Sequence, residues 1–450
     1  MERYIMLIRF TVENFLSFNQ RVDFNMLASD EASHAHHVVT YNGGQMRKLL
    51  RTSLLYGANA SGKSNLIKAM AFARDFIVNG VDKHKNIDIK PFKLQEDCVS
   101  KPARFEFEFY CMGKAYAYGF ILEKHRVVGE WLFDLSQVEE ISIFERREEQ
   151  PTGFNYKHPI FDNLSDEGKQ RLKFEADGTR DNLLFLTNCQ ERKIIRFDTI
   201  YKWFKETLVI IFPQPKNQFL TTFAQLNESF FNEILTFFDF GIKRIHIQRI
   251  DFEKSQDIPI VLKEEIKAYF PYNEDKAQFV SFADSNYVIQ KKHGVIQASK
   301  ILAVKEDDKQ QEVHFELFEE SDGTRRIIDL IPMLIALYQN NAVVVIDELE
   351  RSLHALLSRK LFELFLNNSV FKQSHSQLIA TTHEVTLLDI KKLFRKDEIW
   401  FIEKDEKRQS VTYSLAGAEV GKLNLVNGYL NGRFGAIAFI GNAETLGWDE

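Results

Sequence analysis

Cysteine is scarce in this chain: its 450 residues include three, Cys98, Cys111 and Cys189. They lie far apart, make no metal-ligand spacing, and cannot all pair within one chain. That excludes a disulfide framework and leads us to expect a reducing, cytoplasmic setting. Basic excess is also missing. The formal net charge is -6 and the pI about 6.1, which excludes a dedicated basic nucleic-acid-binding domain but leaves room for a local basic groove. No hydrophobic run is long. "IIDLIPMLIAL" is interrupted by Asp329 and Pro332 and is too short to span a bilayer. The opening "MERYIMLIRFTVENF" alternates like a strand and lacks the layout of a signal peptide. No membrane association is therefore expected. Low-complexity linkers, internal repeats and clean heptads are absent, so a long coiled-coil arm is excluded. Tryptophan is rare, with 4 against 40 phenylalanines. Many of the phenylalanines sit in alternating stretches such as "RFEFEFY", which reads as sheet core and not as a base-stacking platform.

What is present is an α/β pattern. "YIMLIRFTVENF" and "RVDFNML" read as strands, and "LLRTSLLY" as a short buried one. "GKSNLIKAMAFARDFIV" reads as a helix. After Pro91, "ARFEFEFY", "KAYAYGFILE", "RVVGEWLFDL" and "ISIFERRE" predict an antiparallel meander. From about 155 the character turns mainly helical, with "IIRFDTIYKWFKETLVIIF" read as helix and "ESFFNEILTFFDFG" stopping at Gly241. Strands are read at "KRIHIQRIDFE" and "KILAVKE". The last third alternates again: strand "EVHFELFEE", helix "TRRIIDLIPMLIALYQN", buried strand "AVVVIDE", helix "LHALLSRKLFELFLN", buried strand "QLIATTH", then "EIWFIEKD" and "SVTYSL". The expected division is 1–154, an N-terminal head part with the meander; 155–310, an inserted, mainly helical subdomain; and 311–450, the C-terminal head part.

The chemistry centres on "LLYGANASGKSNLIKAM". Gly57-x-x-x-x-Gly62-Lys63-Ser64 stands between a strand and a helix, the context a phosphate-gripping loop needs. Backbone N–H groups across Asn59, Ala60, Ser61, Gly62, Lys63, Ser64 and Asn65 would converge on phosphate oxygens. Lys63 would reach the β- and γ-phosphates of ATP, and the Ser64 hydroxyl would ligate Mg²⁺. "AVVVIDELE" ends a buried strand in two adjacent acids. Asp347 is placed to hold Mg²⁺ through water, and Glu348 to polarise an attacking water as general base. His383, closing "LIATTH", follows a strand expected beside the Asp347 strand, where it could donate to a γ-phosphate. Ser321 and Gly323, in "ESDGTRRIIDL", open a helix. Two readings stand there: a plain N-cap, or a second anion site that serves the nucleotide of another copy. His34, His36 and His37 read as a solvated loop, since no carboxylate or cysteine sits beside them at ligand spacing, with a metal tract as the alternative.

In that order, phosphate loop, "SDGT", "VVVIDELERSLH", "TTH", the motifs resemble the ABC-type P-loop NTPase heads of the SMC/RecF class. The resemblance implies a mixed-sheet head with an antiparallel β subdomain. It also implies a homodimer in which each ATP lies between the Lys63 loop of one head and the Ser321–Gly323 signature of the other. "ERSLH" takes the place of the loop that crosses such an interface, with His354 where an aspartate is usual; Gln95 is the candidate for the Q-loop glutamine by rough position. More narrowly, "MLIRFTVENFLSFNQRVDFNM", "PFKL", "FEFEFYCMGKAYAYGFIL", "DNLLFLTN" and "YLNGRFGAIAFI" resemble the AAA-type ATP-binding proteins of bacterial abortive infection, the RloA- and AbiL-type ATPases and the ATPase of the PARIS anti-phage system. This implies a slow defence ATPase, homodimeric or larger, working with a separate effector such as a Toprim-like nuclease. The chain ends soon after His383, so a fused effector is not expected. The alternatives are a RecF-like repair ATPase that binds DNA directly, and a structural module with a vestigial site.

Overall fold

The computed structural model describes residues 5–43, 45–148, 150–213, 228–238, 241–269, 277–282, 285–339, 342–369, 371, 374–417 and 425–431. Most of the "YLNGRFGAIAFI" stretch lies outside them. The chain divides into two compact units. One comprises 1–211, 340–349 and 362–450; the other comprises 212–339 and 350–361.

The first unit is the α/β head, and it holds two large sheets. One has six strands in the order Leu208–Ile211, Val343–Ile346, Gln377–Thr381, Thr52–Tyr56, Ile399–Lys404, Ser410–Ser414. The first five run parallel and the last is antiparallel. The three central strands are buried along their whole length, which is why their sequences read as unbroken apolar runs. The other sheet is antiparallel and seven-stranded. Its order is Gly153–Phe154, Ile141–Arg147, Val127–Asp134, Lys114–Leu122, Ala103–Cys111, Met6–Glu13, Val22–Asn25. The predicted meander forms its middle.

Helix Lys63–Asn79 packs on the antiparallel sheet, with Phe72 against Phe105 and Phe76 against Phe120. Gln377, wholly buried, ties the two sheets. Its Oε1 accepts from Leu7 N at 2.6 Å, and its Nε2 donates to the Leu7 and Leu50 carbonyls at 3.0 and 2.9 Å. The three cysteines are free and buried, and burial pushes the Cys111 thiol up to about 12, so these are inert packing groups.

The segment expected as a helical insertion from 155 departs from that reading in two ways. Its helices, Asp166–Asp177, Phe185–Glu191 and Asp198–Lys202, belong to the first unit. Trp203 stacks on Phe109 and meets Phe107 edge-on, and Phe204 meets both edge-on, so this face of the antiparallel sheet is covered by the segment that follows these helices. Leu208–Ile211, read as the end of a helix, is instead a strand paired in parallel with Val343–Ile346. Its branched apolar residues suit a pleated, buried edge better than a helix.

The second unit carries more sheet than expected. Arg244–Ile250, Ala277–Phe282, Ser285–Lys292, Val295–Glu306 and Glu312–Glu316 form an antiparallel sheet, and Glu228–Phe238, Ile260–Tyr269 and Asp322–Tyr338 are its main helices. Gly241 does follow the first of these helices, at φ 68°. Among the described residues, no helix is long and apolar enough to cross a membrane.

Candidate nucleotide site

The parallel strands of the head all end at one edge, the place where open α/β sheets bind ligands. Three of the predicted motifs meet there. The phosphate loop leaves strand Thr52–Tyr56 at Gly57. Strand Gln377–Thr381 lies on one side of it, and strand Val343–Ile346 lies next to that. His383 therefore follows the strand paired with the Asp347 strand, as read from the sequence.

The loop is shaped by close backbone approach. Gly62 takes φ 121°, a conformation side chains avoid, and a Cβ on it would overlap the Ser410 and Ser17 hydroxyls. A Cβ on Gly57 would run into the Ile402 carbonyl. Asn59 and Ala60 form the exposed crest, with Ala60 left-handed at φ 63°. Ser61 is buried beneath it. The helix then starts at Lys63 with no side-chain cap and no acid in its first turn, which Asn65 shares. Its N-terminal N–H groups and dipole thus face the loop with no negative charge of the helix's own, as an anion site requires. Lys63 is buried, and its Nζ donates to the Gly57 and Ala58 carbonyls at 2.7 and 3.0 Å, folded back over the loop.

Ser64 Oγ donates to Asp347 Oδ1 at 3.1 Å, joining the loop to the acid-bearing strand. Thr381 Oγ1 donates to the same oxygen at 2.6 Å and accepts from Glu348 N at 2.8 Å. One threonine so fixes both acids. Glu348 is half-buried and left-handed at φ 50°. Holding a non-glycine residue there costs about 1–3 kcal/mol, a strain typical of functional turns. The Thr382 hydroxyl accepts from Glu384 N at 3.0 Å, and Tyr56 OH donates to the Glu384 carbonyl at 3.1 Å, so the turn carrying the half-buried His383 is pinned on both sides.

Hydroxyl and carboxylate oxygens are the hard donors that Mg²⁺ takes, and Ser64 and Asp347 already share a contact. The donor set fits the ion.

The sequence reading missed a clasp behind the loop. Ser410 Oγ donates to the Ser61 carbonyl at 2.5 Å and lies 2.8 Å from Ser17 Oγ, while Lys404 Nζ donates to it at 3.0 Å. Because a trans peptide points its C=O and N–H in opposite directions, anchoring the Ser61 carbonyl outward turns the Gly62 N–H toward the cradle. Nothing in "SVTYSL" signals this role, since the partners lie 349 residues apart.

The Ser321–Gly323 motif lies in the second unit. Ser321 caps helix Asp322–Tyr338, its Oγ accepting from Thr324 N at 3.2 Å, and Asp322 pairs with Arg325. The plain capping role is thus present. Gly323 packs against the Ser352 carbonyl, which would lie 3.0 Å from an added Cβ, so the signature and "ERSLH" are adjacent within one unit. His354 is a cap as well: its Nδ1 accepts from Leu356 N at 3.2 Å at the start of Ala355–Asn367. The Gln95 amide oxygen accepts from Asn19 at 2.9 Å.

Among solved structures, the SMC head domain from Thermotoga maritima is 13% identical, with a TM-score of 0.37 over 91% of this chain and 98% of that one. An SMC head bound to the C-terminal winged-helix domain of ScpA is also 13% identical, with a TM-score of 0.39 over 91% and 97%. No curated protein matches the chain. Residues 53–389, from the phosphate-loop strand to beyond His383, match the family described as AAA domain, putative AbiEii toxin, type IV toxin–antitoxin system. The chain belongs to that AAA family.

Proposed function

We propose that this protein binds ATP at the Lys63 edge and hydrolyses it slowly to ADP and phosphate, as a nucleotide-switched head. The observation that carries the reading is the Ser64–Asp347–Thr381 chain of hydrogen bonds, which brings the phosphate loop, the acid strand and the His383 strand to one point. Lys63 would release the Gly57 and Ala58 carbonyls and take the terminal phosphates. Ser64 and Asp347 would hold Mg²⁺, which would supply neutralisation of the phosphate charge when bound. Glu348 would accept the proton of the attacking water, and His383 would donate to the γ-phosphate as charge builds there.

Two copies would sandwich two nucleotides, each meeting the Lys63 loop of one head and the Ser321–Gly323 helix start of the other. In support, that helix start keeps N–H groups that Ser321 does not take, and the charge of Asp322 in its first turn is matched by Arg325. ATP would then hold the dimer, and its loss would release a partner. We assign the switch to anti-phage defence with a separate effector, on the family and on the motif resemblance.

The test is capture of partners by tagged Glu348→Gln protein expressed from its native gene neighbourhood, with and without ATP. A stoichiometric small protein retained only with ATP supports the defence switch. Nucleic acid recovered without a protein partner, and lost steeply as salt rises, would transfer the protein to the DNA-repair reading.

A further inference from the structure

Away from the nucleotide edge, His34, His36 and His37 converge. They sit in and just before the turn Ala35–His37, and one ring nitrogen from each lies within 4.8 Å of the others. The backbone is bent to achieve this: His34 is left-handed at φ 46°, which brings its ring over His37, stacked at 5.0 Å and 20°. His36 stands edge-on to His37 at 4.4 Å.

The surroundings favour ligation. His37 and Glu398 are wholly buried, and His37 Nδ1 lies 2.9 and 3.2 Å from the two Glu398 oxygens. A ring that gives its Nδ1–H to a carboxylate carries its lone pair on Nε2, the tautomer and orientation of a metal ligand. His36 repeats the arrangement through its other nitrogen: its Nε2 is 2.9 Å from Asn367 Oδ1, which selects the tautomer with the lone pair on Nδ1. The nearby Arg395 is matched by Asp397, with paired contacts of 2.8 and 2.7 Å. Arg395 also donates to the Glu31 and Ser33 carbonyls and so fixes the chain leading into the cluster. Glu398 is held in turn by Arg395 N at 2.7 Å.

We propose that His34, His36 and His37 form a three-histidine site for a divalent transition metal of the zinc type, with water in a fourth position. Imidazole nitrogen suits zinc, copper and nickel and disfavours magnesium and calcium. Nitrogens on a tetrahedral zinc lie about 3.3 Å apart, given metal–nitrogen distances of about 2.0–2.1 Å. The present spread closes by rotating the His34 and His36 rings, which are not fully buried; His37 stays fixed by Glu398. The bound ion would fasten the 29–37 loop to the 395–398 turn that leads into strand Ile399–Lys404.

Full-length protein stripped with chelator and then titrated with Zn²⁺ or Co²⁺ tests this without reference to nucleotide. We expect one metal per chain and, with cobalt, the intense visible bands of a tetrahedral nitrogen site. His34→Ala/His36→Ala should lose both, and Asn367→Ala should weaken binding about 10–100-fold. Zinc should raise the unfolding temperature of the wild type and leave the double variant unmoved. Equal metal content in wild type and double variant overturns the proposal. So does a wild-type cobalt spectrum without tetrahedral bands, which decides the matter even if the double variant does not fold.

Discussion

Asp347 and Glu130 are both buried carboxylates of the head, and different donors hold them. Glu130 accepts from two backbone amides at a helix start, Phe185 N at 2.6 Å and Leu186 N at 3.0 Å, and from Tyr118 OH at 2.8 Å, with Arg146 3.6 Å away. Amides cannot turn away, so this carboxyl rivets the Phe185–Glu191 helix to the antiparallel sheet. Asp347 is held by the Ser64 and Thr381 hydroxyls, whose protons can be redirected when a ligand arrives. The difference separates a structural carboxylate from the one proposed to hold the metal more clearly than burial does.

Substitution at the first should break the fold, and at the second the function. The largest effect is expected from Glu130→Ala, which leaves two helix amides, a tyrosine hydroxyl and Arg146 without their acceptor. A loss of about 3–5 kcal/mol, read by denaturant unfolding, is typical of breaking a buried charged pair. If Glu130→Ala unfolds at the wild-type midpoint, the rivet is not one. Lys63→Ala should leave that midpoint almost unchanged and weaken ATP binding roughly 100-fold, the worth of about 3 kcal/mol of charge-assisted hydrogen bonds. Isothermal titration measures it, and undiminished affinity would remove Lys63 from the site.

Ser410→Ala should be smaller. The Ser61 carbonyl loses its anchor, and nucleotide affinity should fall about fivefold to tenfold, near 1 kcal/mol, with little change in stability. An equal fall in affinity and in stability would make the clasp merely structural. The last effect is read against pH, in the second unit. Burial raises the Asp329 carboxyl from 3.8 to about 6, against the opposing pull of Arg326 and Arg325. The folded state then holds this proton over a window where the unfolded state has lost it. Stability from this group is therefore full below about pH 4 and falls as pH rises toward 6. Asp329→Asn should flatten that part of the stability–pH curve, and an unchanged slope would assign it elsewhere.

These two regions were not equally legible in the sequence. The phosphate loop, Asp347 and Glu348 are local patterns, because a glycine-shaped turn and a buried strand write themselves into consecutive residues. The meander was legible for the same reason, through its alternation. Thr381 lay inside a recognised motif, but its hydrogen bond to Asp347 crosses between strands. Ser17, Ser410 and Glu130 act through partners distant in the chain and have no periodicity to announce them. Leu208–Ile211 was misread because a short apolar run suits helix and strand alike until its neighbours are known. The turn at His34–His37 looked like a polar loop for want of an adjacent acid; its acid, Glu398, lies 361 residues away.

The central claim is that one edge of the head binds ATP and uses Glu348 to hydrolyse it. Single-turnover hydrolysis by Glu348→Gln, beside its ATP affinity, tests this most directly. The account predicts retained binding, hydrolysis lowered at least about 100-fold by loss of the base, and an ATP-held dimer. Hydrolysis at the wild-type rate would contradict it.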